Sequence, residues 1–481
     1  MKVNFFIVLL FLFSLLSGCA VPERAPELNT NIEREATETL ITTFDSNNWV
    51  PASLKVSRNG RTVAYTNNVD GKQVVIVNGK EESAQYKQLG AYYVTLSPDG
   101  KHLAYVVHDD QEDRLFAVID GVASEHYQDI GFGTPIFSDD SQSVAYAASS
   151  EGKWFVVLDG QEGDKYDYID ARSLIFRPDG RTLAYAAKVD DKWFVINGDK
   201  KGEPYDEILV GSLCFSPDGK HFVYGARSGE KWTIVLDDVA GQEYFSVYVD
   251  KDGFSPDSKH LAYLAADDKS GFVVLDGQEL KHYWGIGYGS AVFSPDSQRL
   301  AYAAILKGHE HTEEEELAGE GHDDHEEEEE WCVVVDGEEG TIYNGVTPPV
   351  FSPDNQRVAY FAWSIADEPG SQRVSSSEQA DNAIWALVLD GVKYREKYEN
   401  IGMNTLVFSP DSKHVAFVAK AGDKLTVVVD GKQGKLYDGV VASLLFGGNV
   451  SFDPDGTLRY VAIEGEDVLL VEEKIVDMAS Q

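Results

Sequence analysis

The chain has 481 residues, 43% of them hydrophobic and 25% charged, which is the composition of a globular protein and excludes a disordered or collagenous one. Lys and Arg number 41 against 81 Asp and Glu, a formal net charge of −40, which argues against nucleic acid as a partner because phosphate binding depends on clustered cations. Three cysteines are too few for a disulfide framework.

Residues 1–18 read as a secretory signal. Lys2 supplies the positive start, and Phe5 to Leu16 forms an apolar run interrupted only by Ser14. That run is too short to span a bilayer, which takes about 20 apolar residues. It ends Leu16-Ser17-Gly18-Cys19, and small residues before a cysteine at this point resemble the bacterial lipobox. The resemblance implies cleavage before Cys19, lipid on Cys19 and attachment to a membrane. Ala20 after the cysteine is similar to the pattern sorted to the outer membrane of hosts with two membranes. The expected location is the bacterial cell envelope, facing periplasm or exterior. Residues 19–38, with Pro22, Pro26 and many charges, read as a flexible tether.

From residue 39 to 476 one unit recurs. Its first marker is Ser97-Pro98-Asp99-Gly100, repeated at Ser138-Asp139-Asp140-Ser141, Arg177-Pro178-Asp179-Gly180, Ser216-Pro217-Asp218-Gly219 and onward to Asp453-Pro454-Asp455-Gly456. Asp140, Asp179, Asp218, Asp257 and Asp296 stand 39 residues apart, and two later gaps of 58 and 57 mark insertions. The second marker is Ala-Tyr, as in Ala104-Tyr105 and Ala145-Tyr146. The third is an apolar run ending in a turn such as Asp159-Gly160, which suits a type I′ hairpin. The fourth is a lone tyrosine: Tyr86, Tyr127, Tyr166, Tyr205, Tyr244, Tyr283, Tyr343, Tyr398 and Tyr437. Each unit therefore reads as four short strands. The inner ones are apolar at successive positions and so are buried on both faces. A period near 40 with four strands is a propeller blade, and the fold class is an all-β propeller of about ten blades in one ring, with two smaller rings as the alternative. The last unit lacks its fourth strand, and Phe44 stands about one period before Tyr86. Residues near Thr42 to Val50 are expected to complete the final blade.

The Ser-Pro-Asp-Gly, Ala-Tyr and Asp-Gly pattern resembles the WD40-like repeat of the TolB type (PD40) over residues 40–476. The resemblance implies the propeller fold. It departs from TolB in having no room at residues 20–40 for a separate N-terminal domain, and it carries no Trp-Asp dipeptide.

The insertions lie at 306–330 and 364–383, between the second and third strands of blades seven and eight. The first holds thirteen carboxylates between His309 and Glu330, together with His309, His311, His322 and His325. These four imidazoles amid carboxylates suit zinc, nickel or copper, and a solvated loop without fixed ligands is the alternative. Gly-x-Ser-x-Gly, His-Glu-x-x-His and P-loop motifs are absent from the sequence. The expected function is a membrane-anchored, non-catalytic binding scaffold with a protein partner. The alternatives are a propeller enzyme with a central acidic pocket, or a metal-handling protein acting through the His-rich loop. Trp154, Trp193, Trp232, Trp331 and Trp385 open third strands and read as packing residues, and Cys214 and Cys332 as buried free thiols.

Overall fold

The computed structural model describes residues 28–478 apart from 29, 88, 90–93, 250, 308–328, 365–383, 395 and 443–449. Cys19, His309, His311, His322 and His325 lie outside the described residues. Within them the protein is all-β: ten small antiparallel sheets, each a blade, form one closed ring.

Blade three shows how the repeat builds a blade. The turn Ser138–Ser141 leads into Val144–Ser150, in which every residue but the last is buried. This second strand pairs with Lys153–Leu158, and the Asp159-Gly160 turn leads into a two-residue fourth strand, Gln161–Glu162. Both turn residues have positive φ, 48° and 79°, as a type I′ turn requires. A single bridge, Trp154 to Tyr166, extends the pairing to the lone tyrosine.

Because side chains of the second strand alternate, a blade packs against both neighbours. Ala145 and Ala147 join the cluster with blade four, whereas Tyr146 and Ala148 join the cluster with blade two. The described core falls into ten such clusters, one at each boundary between consecutive blades, and the boundary between blades ten and one is among them. A single ring, not two, accounts for all ten.

Closure comes from the N-terminus, through residues other than those expected. Ile32–Thr43 pairs antiparallel with Asp467–Asp477 and is the fourth strand of blade ten. The expected window, Thr42 to Val50, overlaps this strand only at Thr42 and Thr43. Trp49–Val56 is instead the first strand of blade one. Residues 32–38, expected in the tether, are part of the closing strand, each opposite a residue of Asp467–Asp477.

Candidate functional site

In a blade of four antiparallel strands, alternate connections lie at opposite ends. The Ser-Pro-Asp turns and the Asp-Gly turns share one face, here the turn face. The links between second and third strands, and between one blade and the next, share the other, here the loop face.

On the turn face, hydrogen bonds tie the turns of several neighbouring blades together. Ser97 Oγ donates to Asp99 Oδ1 at 2.7 Å, and that oxygen also accepts the Lys101 N–H. Asp99 N–H then donates to Ser141 Oγ of the next blade. The same link joins Asp218 to Ser258, Asp257 to Ser297 and Asp354 to Ser412. The Ser97 hydroxyl, then Lys101, hold the Asp99 carboxyl well below the usual range. These aspartates are structural, as the Asx pattern implies. The first Asp of the turn between third and fourth strands caps the second strand: Asp120, Asp237, Asp276 and Asp430 accept an N–H at its start and pair with His102, His221, His260 and His414.

The first strands face the axis, since one cavity is lined by the first strands and turns of four successive blades. It measures about 560 Å³ and opens among Pro217, Phe254, Pro256, Phe293, Pro295 and Phe351. Its wall is apolar, and the one carboxylate in its lining, Asp252, is held by Lys251 at 2.8 Å. A gathered set of acids of the kind a central acidic pocket needs is not part of this lining.

Sequence reasoning missed a bulge in the middle of the first strand. A Ser or Thr four residues before the turn folds back: Ser173 Oγ donates to Asp170 O and accepts the Ala186 N–H. Ser53, Ser212, Ser290 and Thr405 repeat the arrangement. The hydroxyl replaces the ladder bond that the bulge breaks. A Ser or Thr at constant distance before the turn was the available signal. Gly287 and Gly289 belong to this device in blade seven: a Cβ on Gly287 would meet the Trp331 ring at 3.3 Å, and Gly289 has φ of 63°.

The repeated aromatics are packing residues. The lone tyrosine of one blade meets the Ala-Tyr tyrosine of the next at 6.0–6.5 Å between ring centroids, as Tyr127 with Tyr146 and Tyr166 with Tyr185. Burial raises both phenols of these two pairs, and the two hydroxyls of each pair interact. The tryptophans that open third strands are partly buried in the same interfaces. Cys214 and Cys332 are buried free thiols, and burial pushes the Cys332 thiol up to about 11.

Among the described residues, one group has the spacing a divalent cation needs: Asp109, Glu112 and His126, whose ligand atoms lie within 4.8 Å of one another. It sits on blade two, far in sequence from the His-rich insertion. His126 Nδ1 is 2.9 Å from Glu112 Oε2, within hydrogen-bond distance, and 3.8 Å from Asp109 Oδ2.

No family model matches the chain. A search of curated proteins likewise finds no match. Solved structures similar to it include a eukaryotic initiation factor, at 13% identity and TM-score 0.41 over 72% of this chain and 87% of that one. The β-propeller domain of the Trilobed protease from Pyrococcus furiosus is similar at 12% identity and TM-score 0.29 over 79% and 94%. TolB from Acinetobacter baumannii is similar at 13% identity and TM-score 0.25 over 72% and 80%. The architecture itself rests on the strand pairing and the ten interfaces described above.

Proposed function

We propose that this protein is a lipid-anchored binding scaffold of the bacterial cell envelope: Cys19 carries the lipid, and the ring presents a surface to a protein partner. The observation that carries the scaffold reading is the division of labour among the repeated residues. The serines, aspartates and tyrosines that recur from blade to blade are used in turns and blade interfaces, and Trp154, Trp193, Trp232 and Trp385 pack in those interfaces too. The two large insertions both fall on the loop face, where each interrupts a hairpin. A rigid ring with variable loops on one face is the design of a binding platform.

The test of the anchor is incorporation of labelled fatty acid by the full chain. Cys19→Ala should abolish incorporation and release the protein from membranes. Equal membrane association of the substituted protein would overturn the anchor. The scaffold part is tested by isolating the native, lipid-anchored protein from membranes after cross-linking, with a defined stoichiometric partner as the expected result.

A further inference from the structure

Three observations bear on which face meets a partner. The first is where the N-terminal segment leaves the ring. Ile32–Thr43 is a fourth strand whose Thr43 end leads over the loop face into Trp49–Val56, so its Ile32 end lies on the turn face. Leu28 continues on that side: it is buried between blades eight and nine, its Cδ1 beside the turn-face glycine Gly431. Nine peptide steps lead from Cys19 to Leu28, a reach of about 30 Å at full extension. A lipid on Cys19 would therefore be joined to the ring from its turn face.

The second observation is the placement of exposed rings. Among the described residues the exposed aromatic side chains are Phe132, Tyr168, Phe245, Trp284 and Tyr288. Each follows a lone tyrosine by one to five residues, on the loop-face approach to a first strand or in its bulge. The turn face exposes only aliphatic side chains at its fourth strands, Val122, Val239 and Val392. Several of the rings are held in place. Tyr168 stands edge-on between Trp154 and Trp193, at 5.5 and 5.9 Å, and Tyr288 meets Tyr248 edge-on at 5.2 Å. Fixed, exposed aromatics are the side chains that carry binding energy at protein interfaces.

The third observation is charge. The same face carries Asp109, Asp110, Glu112 and Asp113 on one link and Asp190–Asp191 and Asp267–Asp268 on others, in a chain of net charge −40.

We infer that the loop face is the docking face for a protein whose contact surface is apolar at its centre and basic at its rim, and that the turn-face anchor points this face away from the membrane. The inference rests on the reading of the protein as a tethered scaffold. The apolar centre seats on the exposed rings, and the basic rim meets the surrounding carboxylates, steering approach and fixing orientation.

The test uses the lipidated full chain in phosphatidylcholine nanodiscs, with empty nanodiscs as blank. The probe is a synthetic peptide alternating Lys with Leu and Phe, and its counterpart carries Glu for Lys. The Lys peptide should bind, with affinity falling about tenfold or more between low and high salt. The combined replacement Phe245→Ser, Trp284→Ser and Tyr288→Ser should weaken it about tenfold or more. The combined replacement Val122→Ser, Val239→Ser and Val392→Ser on the turn face should leave it unchanged. Unaltered melting temperatures establish that both variants are folded. Equal losses from the two faces, equal binding of the Glu peptide, or binding of a neutral glucosamine oligomer in place of either peptide would overturn the inference. Orientation is read separately. With spin-labelled lipid, a fluorophore at Val392→Cys should be quenched and one at Glu151→Cys should not. The reverse pattern in a protein that still incorporates fatty acid at Cys19 would overturn the orientation while leaving the tether intact.

Discussion

Phe44 meets Tyr65 edge-on across the seam between blades ten and one, with ring centroids 4.8 Å apart and planes at 85°. The same relationship joins Tyr166 to Tyr185 and Tyr437 to Tyr460 at ordinary boundaries, and Tyr398 to Phe417 between blades eight and nine. Phe44 therefore does the work of a lone tyrosine for a blade whose other strands begin only at Gly439, near the far end of the chain. The seam differs from other boundaries in backbone continuity, not in packing.

Phe44→Ala removes a ring that is 4% exposed and stacks on Trp49 as well as meeting Tyr65. The loss should be about 3–5 kcal/mol, the usual cost of emptying a buried aromatic site. Chemical denaturation measures it. Deleting residues 32–43 should do more, because it bares the edge of Asp467–Asp477 and invites pairing between molecules. Aggregation of that variant, read by light scattering at a temperature where the intact chain is clear, is the expected outcome. A monomeric deletion variant with an unchanged melting temperature would contradict the seam.

The closing strand also carries a buried ion pair. Arg34 Nε donates to Glu473 Oε2 at 2.7 Å with the two side chains 8% and 3% exposed, and the Tyr460 hydroxyl donates to the other carboxylate oxygen. Arg34 further donates to the carbonyls of Val427 and Lys432. Arg34→Met leaves a carboxylate buried without its cation, which costs about 3–5 kcal/mol. Glu473→Gln in the same chain should return part of that loss, since a neutral amide needs no counter-charge. A double variant as unstable as the sum of the single ones would show that the two residues act independently.

The fold was legible where turn chemistry repeats. Asp-Gly with both φ positive, and Ser-Pro-Asp with its hydroxyl and carboxylate, are local devices, so their period survives in the sequence whatever surrounds them. The closing strand was less legible for a physical reason. In Ile32–Thr43 only Ile32 and Thr42 are buried, so the segment shows no apolar alternation and reads as a polar tether. Its strand character comes from a partner at the far end of the chain. The bulge was missed because one hydroxyl per blade, Ser173 or Thr405, replaces backbone bonds without altering the apolar pattern. The exposed rings of the loop face were hidden among tyrosines and tryptophans that pack: composition does not separate Tyr168 from Tyr166, whereas position relative to the blade interface does.

His414 gives the ring a pH-dependent element. Its Nδ1 lies 2.6 Å from Asp430 Oδ2, with side-chain exposures of 7% and 0%, and Nε2 is 3.8 Å from Asp477. The bond to Asp430, with further attraction from Asp430, Asp477 and Asp411, raises its pKa against the opposing effect of burial. A raised folded pKa means that this stabilisation is fully present below the unfolded value, about 6.5, and is lost as pH rises through the folded value. His414→Asn should therefore cost more stability at about pH 5.5 than at about pH 9. The turn aspartates work in the other direction. Asp99, Asp218 and Asp257 are lowered by their lysine and serine partners, so what they contribute is present above about pH 4 and fades as pH falls further. Melting temperature against pH, for the intact chain and for His414→Asn, checks both signs.

Excision of the acidic insertion tests how far the loop face is independent of the ring. Lys307 pairs with Glu330 across the base of that insertion, as adjacent strands of one hairpin. Replacing 308–329 by Asn-Gly therefore restores an ordinary two-residue turn, and the melting temperature should move by no more than about 2 °C. The excised chain also decides where a metal binds. If His309, His311, His322 and His325 form the site, stoichiometric zinc uptake by the intact protein disappears on excision and on replacing the four histidines with Ala. Zinc uptake that survives excision but is lost in His126→Ala assigns the site to Asp109, Glu112 and His126 instead, because theirs are the described ligand atoms that already stand within 4.8 Å of one another. Isothermal titration of the three variants against the intact chain separates these outcomes. With zinc uptake absent from the intact protein, the carboxylates of the loop face are left to a basic partner, whose binding salt should weaken steeply.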